Sequence, residues 1–144
     1  MNTLPPVSGA QQSARWHYER GRTLYQAGRY RKAATAFRKA IRRAPGMPFA
    51  YLGRGLSLAR LNRAQRAVRN IEKAMVLAAE SGHFENAPWL AQAAFEGARA
   101  YERLGQRYMA LRLYTKALES SPENVSTEFL AEALRHRGRV HLPL

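Results

Sequence analysis

Between residues 30 and 43 the apolar side chains Ala33, Phe37, Ala40 and Ile41 recur at three- and four-residue intervals. Arg31, Arg38 and Arg42 run down one opposite stripe, and Lys32, Lys39 and Arg43 down the next. At about 100° per residue this is a helix with one packed face and one charged face. The pattern returns along the chain. A shift of 34 positions lays Gly21 on Gly55, Ala33 on Ala67, Phe37 on Ile71, Lys39 on Lys73 and Ala40 on Ala74. A further shift of 43 lays Ala67 on Ala110, Ile71 on Tyr114, Lys73 on Lys116 and Ala74 on Ala117. The spacing therefore predicts three copies of one unit, at residues 14–47, 48–81 and 91–124, with residues 82–90 inserted before the third.

Each copy divides into two helices and a tight turn. Gly28 and Gly105 stand where the first helix stops, with Asn62 at the matching place in the middle copy, and these residue types suit a left-handed helix end. Pro45 and Pro122 follow the second helix of their copies, where a fixed φ and a missing N–H end it. The middle copy has Ala79 there, so its second helix is expected to run on toward Ser81 or Gly82. The insertion carries Phe84, Trp89, Leu90 and one charge, too apolar for a disordered linker, and Pro88 suits the first turn of the next helix. Leu130, Ala133, Leu134 and Arg137 at helical spacing predict a final helix over residues 125–139. Residues 1–13 read as a flexible N-terminal arm and residues 140–144 as a tail.

The chain resembles the tetratricopeptide repeat, whose 34-residue unit carries a Gly, a bulky residue three later, then Ala, an aromatic and Pro. Gly21, Leu24, Gly28, Tyr30, Ala33, Phe37, Ala40 and Pro45 occupy signature positions in the first copy, although the family's Trp appears one residue early as Trp16. The second copy supplies Tyr51, Gly55, Leu58, Ala67, Ile71 and Ala74, and the third Ala98, Tyr101, Gly105, Ala110, Tyr114, Ala117 and Pro122. The resemblance implies an all-α fold: a right-handed superhelix, or α-solenoid, of three helix-turn-helix units closed by a C-terminal capping helix, with a concave groove lined by first helices.

Charge changes the picture. Twenty Arg and four Lys stand against ten Glu and no Asp, a net of +14. The excess is lopsided, with +13 on residues 14–81 and +1 on residues 82–144. A compositional bias of the coding genome explains Arg over Lys but not the missing acids, so an acidic partner is the alternative explanation. No apolar run approaches the length of about 18 residues that a membrane span needs, and no secretory or transit signal opens the chain, so a cytoplasmic location is expected. Without cysteine there is no disulfide framework or thiolate.

Catalytic parts are missing. His17, His83, His136 and His141 are scattered, with no pair at the four-residue spacing of a helical metal site, and His17 replaces a packing residue of the first unit. Gly53-Arg54-Gly55 looks like a fragment of a phosphate loop but falls inside a helix. With no Asp to pair with Glu and no Ser in a nucleophile setting, neither an enzyme nor a cofactor or metal site is expected.

Two surfaces remain as binding candidates. The family's concave positions, carried over, give Arg15, Tyr18, Arg22, Tyr25 and Gln26, then Phe49, Leu52, Leu56, Ala59 and Arg60, then Gln92, Phe95, Arg99, Glu102 and Arg103. Aromatics and arginines around an apolar centre compose a binding hot spot for a partner's peptide or helix, while burial of Leu52 and Leu56 under the insertion is the alternative. In relatives that hold chaperone tails, a set of Lys and Asn residues clamps a carboxylate. Those positions fall on Tyr18, Arg22, Gly53, Gln92 and Glu96, of which only Arg22 suits the task. The second surface is the outer face, where Arg31, Lys32, Arg38, Lys39, Arg42, Arg43, Arg63, Arg66, Arg69 and Lys73 make stripes on two helices. It suits nucleic acid, an anionic membrane surface or an acidic protein, although the stripes lack interleaved aromatics for base stacking. A groove-binding scaffold or adaptor is the expected function, with an anion-binding outer face as the alternative.

Overall fold

A computed structural model of the chain describes residues 9–81, 88–119 and 135. Among the described residues there are six helices and no strand: α1 (Gly9–Gln26), α2 (Tyr30–Arg43), α3 (Pro48–Arg60), α4 (Ala64–Ser81), α5 (Pro88–Arg103) and α6 (Arg107–Glu119). Helices neighbouring in sequence pack on each other throughout, which is the quasi-one-dimensional order of a solenoid. In addition α1 meets α3 and α3 meets α5, so the first helices form a tighter inner layer. The second helices form the outer one.

The three turns are built alike. Gly28, Asn62 and Gly105 take positive φ of 77°, 63° and 75°. The following N–H reaches back to close each helix end: Arg29 N–H donates to the Leu24 carbonyl at 2.9 Å, Arg63 to Leu58 at 2.9 Å and Gln106 to Tyr101 at 3.0 Å. This six-to-one bond satisfies carbonyls that a helix end otherwise leaves open, and it reverses the chain within a few residues.

Three boundaries differ from the sequence reading or sharpen it. α1 starts at Gly9, inside the segment expected as an arm over residues 1–13, because Ala10, Gln11 and Gln12 offer the helix no obstacle. α4 continues to Ser81, with no proline to stop it. α5 begins at Pro88, so the last residues of the insertion belong to its first turn. The expected capping helix over 125–139 and the tail over 140–144 lie outside the described residues, apart from Arg135. No described helix is long and apolar enough to cross a membrane.

The helices approach closely because small residues line their crossings. Ala33, Ala40, Ala50, Ala67, Ala74, Ala78, Ala94, Ala98, Ala100, Ala110 and Ala117 are completely buried, as are the large side chains Ile71 and Tyr114. Phe37 is the central wedge. Its ring fills the space left by two glycines: a Cβ added at Gly21 would come within 2.8 Å of it, and one at Gly53 within 2.5 Å. Gly55 plays the same part for Ile71, whose Cγ1 a Cβ there would meet at 2.6 Å. Gly53 and Gly55 are thus packing glycines, and no phosphate loop is present at them.

Phe37→Ala is expected to lose about 3–5 kcal/mol in chemical denaturation, the usual cost of emptying an aromatic core site. Gly53→Ala gives the sharper test, because helix propensity alone would make it stabilising by about 0.5–1 kcal/mol. The clash with Phe37 predicts destabilisation of about 1–3 kcal/mol instead, largely relieved in the Gly53→Ala/Phe37→Leu double variant.

Candidate functional site

Between α1 and α3 the inner layer opens into a cleft of about 380 Å³. Tyr18, Arg22, Tyr25 and Gln26 line it from α1, Phe49, Leu52, Gly53 and Leu56 from α3, and the Phe37 ring reaches in from α2. Helical spacing of three and four brings each set to one side of its helix. The Tyr18 ring bridges the two sets, 5.8 Å from Phe37 and 6.4 Å from Phe49. Arg22 lies over it at 5.9 Å and pairs with Glu19 at 3.5 Å. Burial pushes the Tyr18 phenol above its ordinary pKa, so it stays protonated.

A second depression of about 230 Å³ adjoins the cleft, lined by Ala59, Arg60, Asn62, Glu96, Arg99 and Arg103. Tyr25 joins the two, since Arg60 Nε donates a hydrogen bond to the Tyr25 hydroxyl at 3.3 Å. Arg103 is steadied by donating to the Ala59 carbonyl at 3.2 Å, and Arg99 lies 3.8 Å from Glu96. One end of the inner surface is therefore aromatic and apolar, and the other is cationic with one partly neutralising carboxylate.

The expected groove residues separate accordingly. Tyr18, Arg22, Tyr25 and Phe49 border the cleft, and Arg60, Arg99 and Arg103 the basic depression. Leu52 and Leu56 are buried and form the cleft floor in a cluster with Ile71 and Ala74. Phe95 is a correction: it is 3% exposed, packed edge-on against Tyr114 at 5.9 Å with Arg99 over its face, so it is core beneath the groove and not its surface. Arg15 is exposed and lines neither depression.

On the outer layer all ten expected cations, Arg31, Lys32, Arg38, Lys39, Arg42, Arg43, Arg63, Arg66, Arg69 and Lys73, are exposed. Two features there escaped the sequence reading. Arg54 shares its side of α3 with Leu58 and Leu61, four and seven residues on, and joins Arg31, Arg38, Arg63 and Arg66 around an outer depression of about 130 Å³. Burial, then the charges of Arg66 and Arg38, lower its pKa, as expected for a guanidinium crowded among others. Trp16 is 60% exposed, because His17 occupies the packing position one residue later. It borders a depression of about 680 Å³ between α1 and α2 with His17, Arg20, Arg31, Lys32 and Lys39. Among the described residues no group of His, Cys, Asp and Glu is placed to hold a metal ion.

Family models described as tetratricopeptide repeat match residues 18–87 and 91–124, which together are well over half of the chain. The chain belongs to the tetratricopeptide repeat family. Nothing among the curated proteins matches it. Solved structures share the architecture. The first tetratricopeptide domain of Spaghetti (RPAP3), bound to the HSP90 peptide SRMEEVD, is 21% identical with a TM-score of 0.74, over 90% of this chain and 91% of that one. The N-terminal domain of stress-induced protein-1 from C. elegans is 16% identical with a TM-score of 0.72, over 90% and 98%. The Arabidopsis OM64 tetratricopeptide domain is 20% identical with a TM-score of 0.75, over 91% and 98%. At these identities the likeness is one of fold.

His17 supplies a prediction. Its Nδ1 is buried with no hydrogen-bond partner in the protein, and burial, followed by the charges of Arg43, Lys39 and Arg20, lowers its pKa below 6.5. The unfolded chain then binds the proton more readily, so the neutral ring's contribution is complete above pH 6.5 and is lost as pH falls through the lower folded value. His17→Phe should flatten this part of the pH dependence of the melting temperature and hold or raise stability at neutral pH, since it removes an unpaired buried nitrogen.

Proposed function

We propose that the chain is a non-enzymatic interaction scaffold that takes a partner's peptide or helix along its concave side. The observation that carries this reading is the joined pair of depressions: an aromatic cleft under Tyr18, Tyr25 and Phe49, continued through the Tyr25–Arg60 contact into the basic patch of Arg60, Arg99 and Arg103. A segment with one large apolar side chain followed within a few residues by acidic ones complements both ends. The apolar group gains burial in the cleft, and the acids meet guanidinium forks suited to carboxylates. A cytoplasmic setting is part of the same proposal.

The solved relatives that hold HSP90 and HSP70 peptides support the class of ligand. The residues present here argue for a different peptide. Of the positions carried over from the carboxylate clamp, Tyr18 is an aromatic wall, Gly53 accommodates Phe37, and Glu96 adds a negative charge. A free chain-terminal carboxylate finds only Arg22 among them, itself paired with Glu19.

Selection from a random peptide library should therefore enrich sequences with a Phe, Leu, Met or Trp near Asp or Glu, without a requirement for a free C-terminus. Phe49→Ala is expected to weaken the selected peptide by tenfold or more, as truncation of a hot-spot aromatic costs about 2 kcal/mol, while the fold is kept because Phe49 is 42% exposed. Arg103→Glu should mainly slow association and reduce its salt dependence. Peptides that bind equally well to the Phe49→Ala and Tyr25→Ala variants, both still folded, would contradict the groove reading.

A further inference from the structure

The two outer depressions meet on α2: Arg31 and Thr35 line both, so a continuous track runs from Trp16 and Arg20 on α1, over Lys32 and Arg31, to Arg38, Arg54, Arg63 and Arg66. No carboxylate lines either depression. We propose that this track binds single-stranded nucleic acid, with a backbone phosphate seated among Arg31, Arg38, Arg54, Arg63 and Arg66 and a base stacked on Trp16.

Each part of the track selects for that chemistry. Five guanidiniums around about 130 Å³ are a pocket on the scale of one phosphate, and planar arginine forks engage phosphate oxygens two at a time. An anion seated there would relieve the repulsion that Arg54 meets from Arg66 and Arg38. The exposed indole of Trp16 supplies the stacking surface that the arginine stripes lack, and the Arg20 guanidinium, over the ring at 5.7 Å from its centre, adds a cation–π contact to it. A strand of nucleic acid carries phosphate and ring at every step, and so uses both depressions at once. A bilayer meets protruding groups, whereas Arg54 is recessed between α2 and α4. A phosphorylated peptide accounts for the arginine pocket but leaves Trp16 and the lysines of α2 without a role.

The test is fluorescence anisotropy of the full chain with labelled oligothymidylate and oligouridylate of about twelve nucleotides, within the range a single-strand groove covers. The same titration is made with a duplex of that length, phosphatidylserine vesicles and a phosphoserine peptide. Binding of the single strands is expected to exceed that of the other three and to fall steeply with salt. Trp16→Ala should weaken it about five- to a hundredfold, the range measured for one stacked base, with Trp16→Phe retaining most of the affinity. The exposed pair Arg38→Glu/Arg66→Glu should remove it and lower the salt slope, and Arg54→Gln should weaken it. Phe49→Ala should leave it intact, which separates this surface from the cleft. If folded Trp16→Ala binds as tightly as the parent chain, or if duplex, vesicles or phosphopeptide bind as well as the single strands, the proposal is wrong and the face is a general cationic surface.

Discussion

The Phe37 ring, held between Gly21 of α1 and Gly53 of α3, is the contact on which the rest of the N-terminal half depends. A helical hairpin cannot bury its own apolar face, so it needs a neighbour close enough to cover it. Phe37 provides that closeness for three helices at once, since its ring ties α2 to both of the helices that flank it. A larger residue at either glycine separates the helices, and a smaller one at position 37 leaves a void where they meet.

The same ring shapes both candidate surfaces. Its inner edge lies in the wall of the cleft, beside Tyr18 and Leu52, so the cleft is a product of the packing rather than an addition to it. On the other side of α2 the backbone that carries Phe37 presents Arg31, Arg38 and Lys39 to solvent. Because an α-helix has 3.6 residues per turn, an apolar wedge every turn leaves the opposite positions free for charge, and this chain fills them with cations. With no Asp and few Glu nearby, that charge is not neutralised within the face. It governs which partners approach, and at what rate, far more than it governs the fold.

The turns and most helix limits, the start of α1 at Gly9 excepted, were legible in the sequence because they rest on local chemistry. Gly28, Asn62 and Gly105 take the left-handed conformation that their residue types permit, and Pro88 opens α5. Features set by neighbours distant in sequence were not legible. Phe95 has the spacing of a groove residue but is covered by Arg99 and Tyr114. Arg54 sits on the side of α3 away from the cleft, and only the packing of α2 and α4 around it makes the outer depression it lines. The displacement of the family's Trp by one position was visible, but its consequence, an indole in solvent beside Arg20, required the packing of His17. Glycines 53 and 55 resembled a phosphate-loop fragment, and only the rings and branched chains opposite them explain their presence.

The central claim is that the concave side, shaped by the Phe37 contact, is where a protein partner is held. A crystal structure of the chain with the tightest peptide from a library selection tests it most directly. The account predicts an apolar peptide side chain between Tyr18, Tyr25 and Phe49, with an acidic residue within hydrogen-bond distance of Arg60, Arg99 or Arg103. A peptide lying instead against the outer face of α2 and α4, with the cleft empty, would contradict it.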